Sequence, residues 1–317
     1  MNDERRKPAR LLVVGSANMD LVVTAERTPK KGESLIGRDF RTVHGGKGAN
    51  QAVACARLGA ETWMVGRVGD DAFGEALLDG LRREGVHTEH MKSDPDAATG
   101  VAMIVVDATG DNSIIVAPGA NMRCEPEDLD ALADRLSGFD ALLVQLEIPE
   151  PVVRAAVTRA KAAGVVTVLD AGPARPLRDD LLYDVDVLSP NETEAATILG
   201  HEVAGLDGAQ RAARELLARG VGSVVIKLGE RGALAASSER VDMVPAQRVE
   251  VVDTTGAGDA FTAALAVGLA EGRDLLAAVR RGTCAGALAA SVFGAQPSMP
   301  TRDDVDRFAR ERGVPCP

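Results

Sequence analysis

The sequence predicts an α/β fold: a parallel central sheet with helices on both faces, Rossmann-like and three-layered, with a small β-sheet lid beside it. Three observations lead there. Short apolar runs alternate with helix-period segments from end to end of the 317 residues, the rhythm of βα units. Glycine turns close several of these runs, as at Gly15, Gly59 and Gly85. Two segments, residues 21–43 and 99–117, break the rhythm with strand-like alternation and no helix between.

Leu11–Val14 is a short apolar run ending at Gly15, the pattern of a buried parallel strand. Ala49–Leu58 reads as a helix stopped by Gly59, and Thr62–Val68 as the next strand. Asp71–Glu84 has acidic residues in its first turn and Gly85 after it, a helix by both signals. Val101–Val106 and Ser113–Val116 flank Thr109-Gly110-Asp111 and predict a hairpin. With residues 17–44 this hairpin makes the lid, over roughly 17–44 and 99–117. Ala141–Leu146, Val165–Leu169, Val185–Leu188 and Val221–Leu228 are further strands. Pro151–Ala163, Asn191–Leu199, about Gly208–Ala218, Ala257–Ala270, Leu275–Ser291 and Arg302–Arg312 are helices. No linker cuts the chain, so residues 1–317 read as one domain.

Composition excludes several functions. Hydrophobic residues are 45% and charged ones 26%, a globular balance. Aromatics are only 3%, too few for a platform that stacks single-stranded nucleic acid. The net charge of −11 repels phosphate backbones and anionic membranes. The one basic run, Arg5-Arg6-Lys7 with Arg10, reads as a solvated tail. Cys55, Cys124, Cys284 and Cys316 are far apart and form no CxxC, which disfavours a zinc site or disulfide framework and fits a reducing compartment. No signal peptide or membrane span is visible, so the expected location is the cytoplasm. His87 and His90 read as surface loop residues without further ligands.

The chemistry concentrates in a few turns. At Val251–Phe261 a strand ends, Thr254-Thr255-Gly256-Ala257-Gly258 turns, and an Ala-rich helix begins with Asp259 in its first turn. Free amides and the helix dipole favour an anion there. Asp259, held ionised beside it, is placed to accept a hydroxyl proton. The turn lacks the third glycine of a dinucleotide fingerprint, and the chain has no GxxxxGK[ST]. Taken alone it is equally a capped helix. His44-Gly45-Gly46-Lys47-Gly48-Ala49-Asn50 precedes another helix and offers close approach with polar donors, or simply a flexible turn. Gly15-Ser16-Ala17-Asn18-Met19-Asp20 follows the first strand, where open α/β sheets bind ligands. Asn191 and Glu194 form a capping-box pattern. Lys227-Leu228-Gly229-Glu230-Arg231-Gly232 is by itself a strand-end turn.

In this order the segments resemble the ribokinase/PfkB family of carbohydrate kinases. The likeness runs from Leu11 to the last helix. It is carried by Gly45–Gln51, Val144–Glu147, Pro190–Glu194, Asp253–Asp259 and Gly294–Ser298. The resemblance implies ATP-dependent phosphorylation of D-ribose at its 5-hydroxyl, with Mg²⁺ and a monovalent cation, usually K⁺. It implies Asp259 as general base and the backbone of Gly256, Ala257, Gly258 and Asp259 as the anion hole. Asn18, Met19, Asp20, Gly46, Lys47, Gly48, Ala49, Asn50 and Glu147 match sugar positions. Asn191, the turn Lys227-Leu228-Gly229-Glu230-Arg231-Gly232, Gly258 and Thr283 match the nucleotide side. Glu194 matches a position tied to phosphate and magnesium. Asp253, Thr255, Ala289, Val292, Gly294 and Ser298 match the cation loop. The family's relatives also include kinases for deoxyribose, fructose derivatives and nucleosides. The retained Asn18, Asp20, Lys47, Asn50 and Glu147 favour a free pentose, and the scarcity of aromatics speaks against a nucleoside. A non-catalytic sugar-binding regulator would be expected to lack Asp259 or the hole's glycines. Exposed lid edges suit a homodimer that pairs lids.

Overall fold

The computed structural model describes residues 7–315. Arg5, Arg6 and Cys316 lie outside them. The strands are β1 (Arg10–Val14), β2 (Asn18–Thr24), β3 (Asp39–Gly45), β4 (Glu61–Gly69), β5 (His87–Asp94), β6 (Gly100–Val106), β7 (Asn112–Ala117), β8 (Ala141–Val144), β9 (Val166–Asp170), β10 (Val187–Ser189), β11 (Ser223–Lys227), β12 (Ala233–Ala236) and β13 (Val241–Val244). The helices are α1 (Lys47–Arg57), α2 (Ala72–Arg83), α3 (Glu150–Ala162), α4 (Asp179–Leu182), α5 (Glu192–Leu199), α6 (Gly205–Ala218), α7 (Ala257–Ala270), α8 (Leu275–Ala290), α9 (Ala295–Ser298) and α10 (Arg302–Glu311).

Nine strands form the main sheet, in the order β13-β12-β11-β10-β9-β8-β1-β4-β5. It is parallel from β11 to β5, and the β12–β13 hairpin continues it antiparallel. Side chains of β1 alternate between two cores. Leu11 and Val13 face the layer of α1, α2, α7, α8 and α10. Leu12 and Val14 face α3, α5 and α6. Helix packing relies on alanine: Ala260, Ala263, Ala264 and Ala266 are fully buried on α7.

The segments expected to make a lid form a separate four-stranded sheet, β3-β2-β6-β7. Its β6–β7 hairpin turns at the predicted Thr109-Gly110-Asp111. The lid is mixed, because β2 pairs with β6 in parallel. Every residue of β7 is exposed, Ile114 and Ile115 among them.

Several elements differ from expectation. His87 and His90 stand on the edge strand β5 rather than in a loop, and the His87 ring stacks on Trp63 with centroids 4.3 Å apart. The hairpin β12–β13 and the 3-10 segment Pro126–Gly138 had no forecast. Helix α1 starts at Lys47, two residues early, which brings the lysine amide into the first turn. The described cysteines form no disulfide. No helix of the described residues is long and apolar enough to cross a membrane.

Candidate active site

Parallel pairing sets the ends of β1, β8, β9, β10 and β11 side by side, and the polar turns named above gather at that edge. Residues 15–20 leave β1 and lead into the lid. Gly48 stands so close to them that a Cβ would lie 2.5 Å from the Ser16 amide, which excludes any side chain. The Ser16 hydroxyl donates to Glu147 Oε2, and the Lys47 amide donates to the same oxygen at 3.0 Å. Glu147 is thus fixed by two donors. Asn18 is buried, and its Oδ1 accepts from Asn121 Nδ2 at 2.7 Å. Asp20 is 8% exposed, and no protein donor among the described residues reaches its carboxylate. Burial, with the nearby charges of Glu147 and Asp259, pushes Asp20 up to about 7.

Gly256 caps α7 in the left-handed region, with φ 79°. The α7 amide of Ala257 bonds Thr254 O and that of Ala260 bonds Gly256 O, at 3.2 and 2.8 Å. The intervening amides of Gly258 and Asp259 point out of the helix start with no acceptor among the described residues, as first-turn amides do. Asp259 is 5% exposed and faces the start of α1. Asn50 Nδ2 donates to its Oδ2 at 2.9 Å and Gln51 Nε2 to its Oδ1 at 3.0 Å. Lys47 Nζ lies 3.7 Å from Oδ1. Burial works against the Lys47 ammonium, but Asp259, Asp170, Glu147 and Glu194 outweigh it and hold the lysine well above its ordinary range. Asn50 Oδ1 is buried with no hydrogen-bond partner.

Opposite lies the second lysine. Lys227 Nζ donates to Asp170 Oδ1 at 3.1 Å and sits 4.0 Å from where a Cβ on Gly258 would be. Asp170 is fully buried. Desolvation disfavours its charge, yet Lys227 and Lys47 hold its carboxyl below the usual range. Thr262 and Gln51 also donate to Asp170, at 2.9 and 3.0 Å. Asn191 and Glu194 complete the predicted capping box on α5, with reciprocal bonds of 2.8 and 2.7 Å. A Cβ on Gly172 would lie 2.8 Å from both Glu194 Oε1 and Lys47 Nζ, so the two groups approach each other there.

Two loops meet beside the α7 start. Asp253 accepts from the amides of Thr255 and Gly294, both at 2.9 Å, and so ties them together. Arg57 donates to Gln296 O and Met299 O at 2.9 and 2.8 Å while pairing with Glu84. It fastens the second loop to α1.

The family model "pfkB family carbohydrate kinase" matches residues 8–302. The chain belongs to this family. It is 42% identical to the ribokinase of Bacillus subtilis over 94% of this chain and 98% of that one. To the deoxyribokinase of Salmonella typhi it is 35% identical, over 94% and 98%. The structure of Arabidopsis thaliana ribokinase complexed with ribose and ATP superposes with TM-score 0.89 at 37% identity, covering 96% of this chain and 99% of that one.

The fold brings together most of the positions expected from sequence, but not all of their side chains turn inward. Met19 and Leu228 are buried in the hydrophobic cores. Ala49 is buried behind the glycine run. Glu230 and Arg231 are exposed, and Arg231 pairs with Glu192. Thr283 lies on α8, its hydroxyl donating to Arg280 O at 2.8 Å. Ser298 Oγ donates to Ala295 O at 2.7 Å, and Val292 is exposed. The inward groups with no role expected from sequence include Ser16, Gln51, Asn121, Gln145, Asp170 and Thr262. Gln51 adjoins Asn50, and Ser16 lies two residues before Asn18. Asp170 follows an apolar run at a strand end, which was its only available signal.

Proposed function

We propose that this pfkB-family kinase transfers the γ-phosphoryl group of ATP to the 5-hydroxyl of D-ribose, giving D-ribose 5-phosphate and ADP. One observation carries the reading. Asp259 is a buried carboxylate beside unpaired first-turn amides, so a proton acceptor and an anion cradle lie next to each other. The sugar oxygen attacks γ-phosphorus, its proton passes to Asp259, and the bond to the β–γ bridging oxygen breaks as ADP leaves. Of the four amides expected in the anion hole, that of Ala257 is taken by Thr254 O, and those of Gly256, Gly258 and Asp259, with the Lys47 ammonium, counter charge on the transferring group. Asn18, Asp20, Gly46, Asn50 and Glu147 are the sugar's partners. The unpaired Asn50 Oδ1 suits a hydroxyl donor. Asn191, Lys227, Gly229, Gly232 and Thr283 flank the nucleotide.

Metal ions fit this frame. No group of three His, Cys, Asp or Glu among the described residues could cage a cation. Mg²⁺ needs no such cage, since it is held by one or two carboxylates together with substrate phosphates. Glu194 would stand beside it, and Mg²⁺ would neutralise phosphate charge. Asp253 with the loop residues Thr255, Ala289, Val292, Gly294 and Ser298 offers oxygen donors of the type a hard monovalent cation takes. Bound there, K⁺ would stabilise the turn leading into α7.

The reading extends to assembly and location. Phe40, Met103, Ile114, Ile115 and Val116 expose apolar surface on the lid, and β7 leaves an open edge. A second copy of the chain covers both, giving a homodimer through the lids. The buried thiols suit the cytoplasm.

The test is ADP release from the purified chain with ATP–Mg²⁺ and D-ribose, with and without K⁺. Deoxyribose, fructose and adenosine run in parallel, and Asp259→Asn is the control. Ribose-dependent turnover that the substitution abolishes supports the proposal. Turnover only with another acceptor overturns the substrate. No turnover with any acceptor overturns the catalytic reading.

A further inference from the structure

Gln51 and Gln145 are both fully buried in the floor of the site. Their amides form one chain. Gln145 Nε2 donates to Gln51 Oε1 at 2.6 Å. Gln51 Nε2 then donates to two carboxylates at once, Asp259 Oδ1 and Asp170 Oδ2, each at 3.0 Å. An amide nitrogen has two hydrogens, so each carboxylate receives one. The other oxygen of Asp259 is held by Asn50 at 2.9 Å. Asp170 is anchored by Lys227, Thr262 and the Gly172 amide.

We infer that Gln51 is a positioning residue for Asp259: its amide fixes the plane of that carboxylate and couples it to the Asp170–Lys227 pair, while Gln145 fixes the amide. Only one orientation of Gln51 fits. Turned by half a revolution, its oxygen would face two carboxylates and its N–H groups would face those of Gln145. Asp259 in turn cannot rotate without breaking its bond to Gln51 or to Asn50. A base works through a lone pair aimed at the departing proton, and alignment is what these two donors supply. The inference rests on Asp259 being the base, as proposed above.

The test uses the full chain, assayed for ribose phosphorylation at saturating ATP–Mg²⁺. Gln51→Met keeps approximate volume and removes both donors. The expected result is a fall in kcat on the order of 100-fold, the effect of a misaligned catalytic group, with KM for ribose changed by less than about threefold. Gln51→Glu gives a sharper signature. Protonated, the new acid donates one O–H to a carboxylate. Ionised, it sets a third negative charge against Asp259 and Asp170. Its kcat therefore falls as pH rises between about 5 and 8, where an ordinary carboxylate base gains activity or stays level. Thermal melting over the same range confirms that each variant is folded. Should Gln51→Met not fold, Gln51→Glu and Gln145→Met carry the test through the same readouts. Asp259→Asn in the same assay separates two failures. If it keeps the unmodified rate, the base assignment falls, and the positioning role with it. If it abolishes turnover while folded Gln51→Met keeps kcat, only the positioning role is overturned.

Discussion

Asp20→Asn makes the ligand-free chain more stable at neutral pH while weakening its hold on sugar. The carboxyl is 8% exposed and held at about 7 by burial, Glu147 and Asp259, against 3.8 for an ordinary aspartate. Between those values the folded chain keeps a proton that the unfolded chain has released. Stability contributed by Asp20 therefore falls as pH rises from about 4 to about 7, and is level above. At about 1.4 kcal/mol per pH unit, the gap amounts to a ceiling of roughly 4 kcal/mol. Asparagine carries no such slope. The assay is urea unfolding of both chains at intervals between pH 4.5 and 8, without sugar or nucleotide. The difference in unfolding free energy, variant minus unmodified, should climb by about 2–4 kcal/mol across that range and then flatten. The comparison cancels every other titrating group that the substitution leaves alone. A difference that stays flat with pH would refute the argument, whatever its absolute size. Ribose KM in the variant should rise, since the amide replaces an acceptor with a donor.

Three further outcomes follow from the same geometry. Gly48→Ala places a Cβ 2.5 Å from the Ser16 amide; ribose KM should rise at least tenfold and stability drop by about 1–3 kcal/mol, measured by kinetics and urea midpoint. Arg57→Ala removes both carbonyl contacts of the loop after α8 and leaves Glu84 unpaired. It should cost about 2–4 kcal/mol in stability and weaken the K⁺ activation proposed above, read from a K⁺ titration of turnover. Lys47 is held charged far above neutrality by its four carboxylates, although burial opposes it. Lys47→Met should lower kcat at every pH from 6 to 9 without moving the alkaline limb of the profile, since the lysine does not titrate there, and a moved alkaline limb would count against that picture.

Much of this was readable in the chain and some was not, for identifiable reasons. Leu11–Val14 announced β1 because a strand buried on both faces needs an unbroken apolar run. The α7 start was legible because a glycine turn, a first-turn acid and an alanine-rich helix coincide. Strand β5 was hidden: as an edge strand paired only with β4, it carries charged and polar residues that read as a loop. The β12 strand was hidden for the opposite reason, since Ala233, Ala235 and Ala236 have little strand preference of their own and depend on β11. Within the site, Lys47 and Asp259 stood out because they sit in glycine-rich turns. Asp170 and Gln145 did not. Each is one polar residue at a strand end, and only the three-dimensional convergence of β8 and β9 upon α1 gives them partners.

The dispersal of the site along the chain has a consequence for how activity is acquired during synthesis. Asp20, Lys47, Glu147, Asp170, Glu194, Lys227 and Asp259 come from seven separate stretches, joined only where the strand ends line up. No fragment that ends before residue 257 holds the whole set, because Asp259 and the amides proposed to meet the phosphoryl group belong to α7, which emerges after every strand of the sheet. A nascent chain can close its sheet and its lid well before it can consume ATP. Of the positions named for the site, only Thr283 and the loop residues Ala289, Val292, Gly294 and Ser298 follow α7, whose start packs on α1 across the first core where Asn50 meets Asp259.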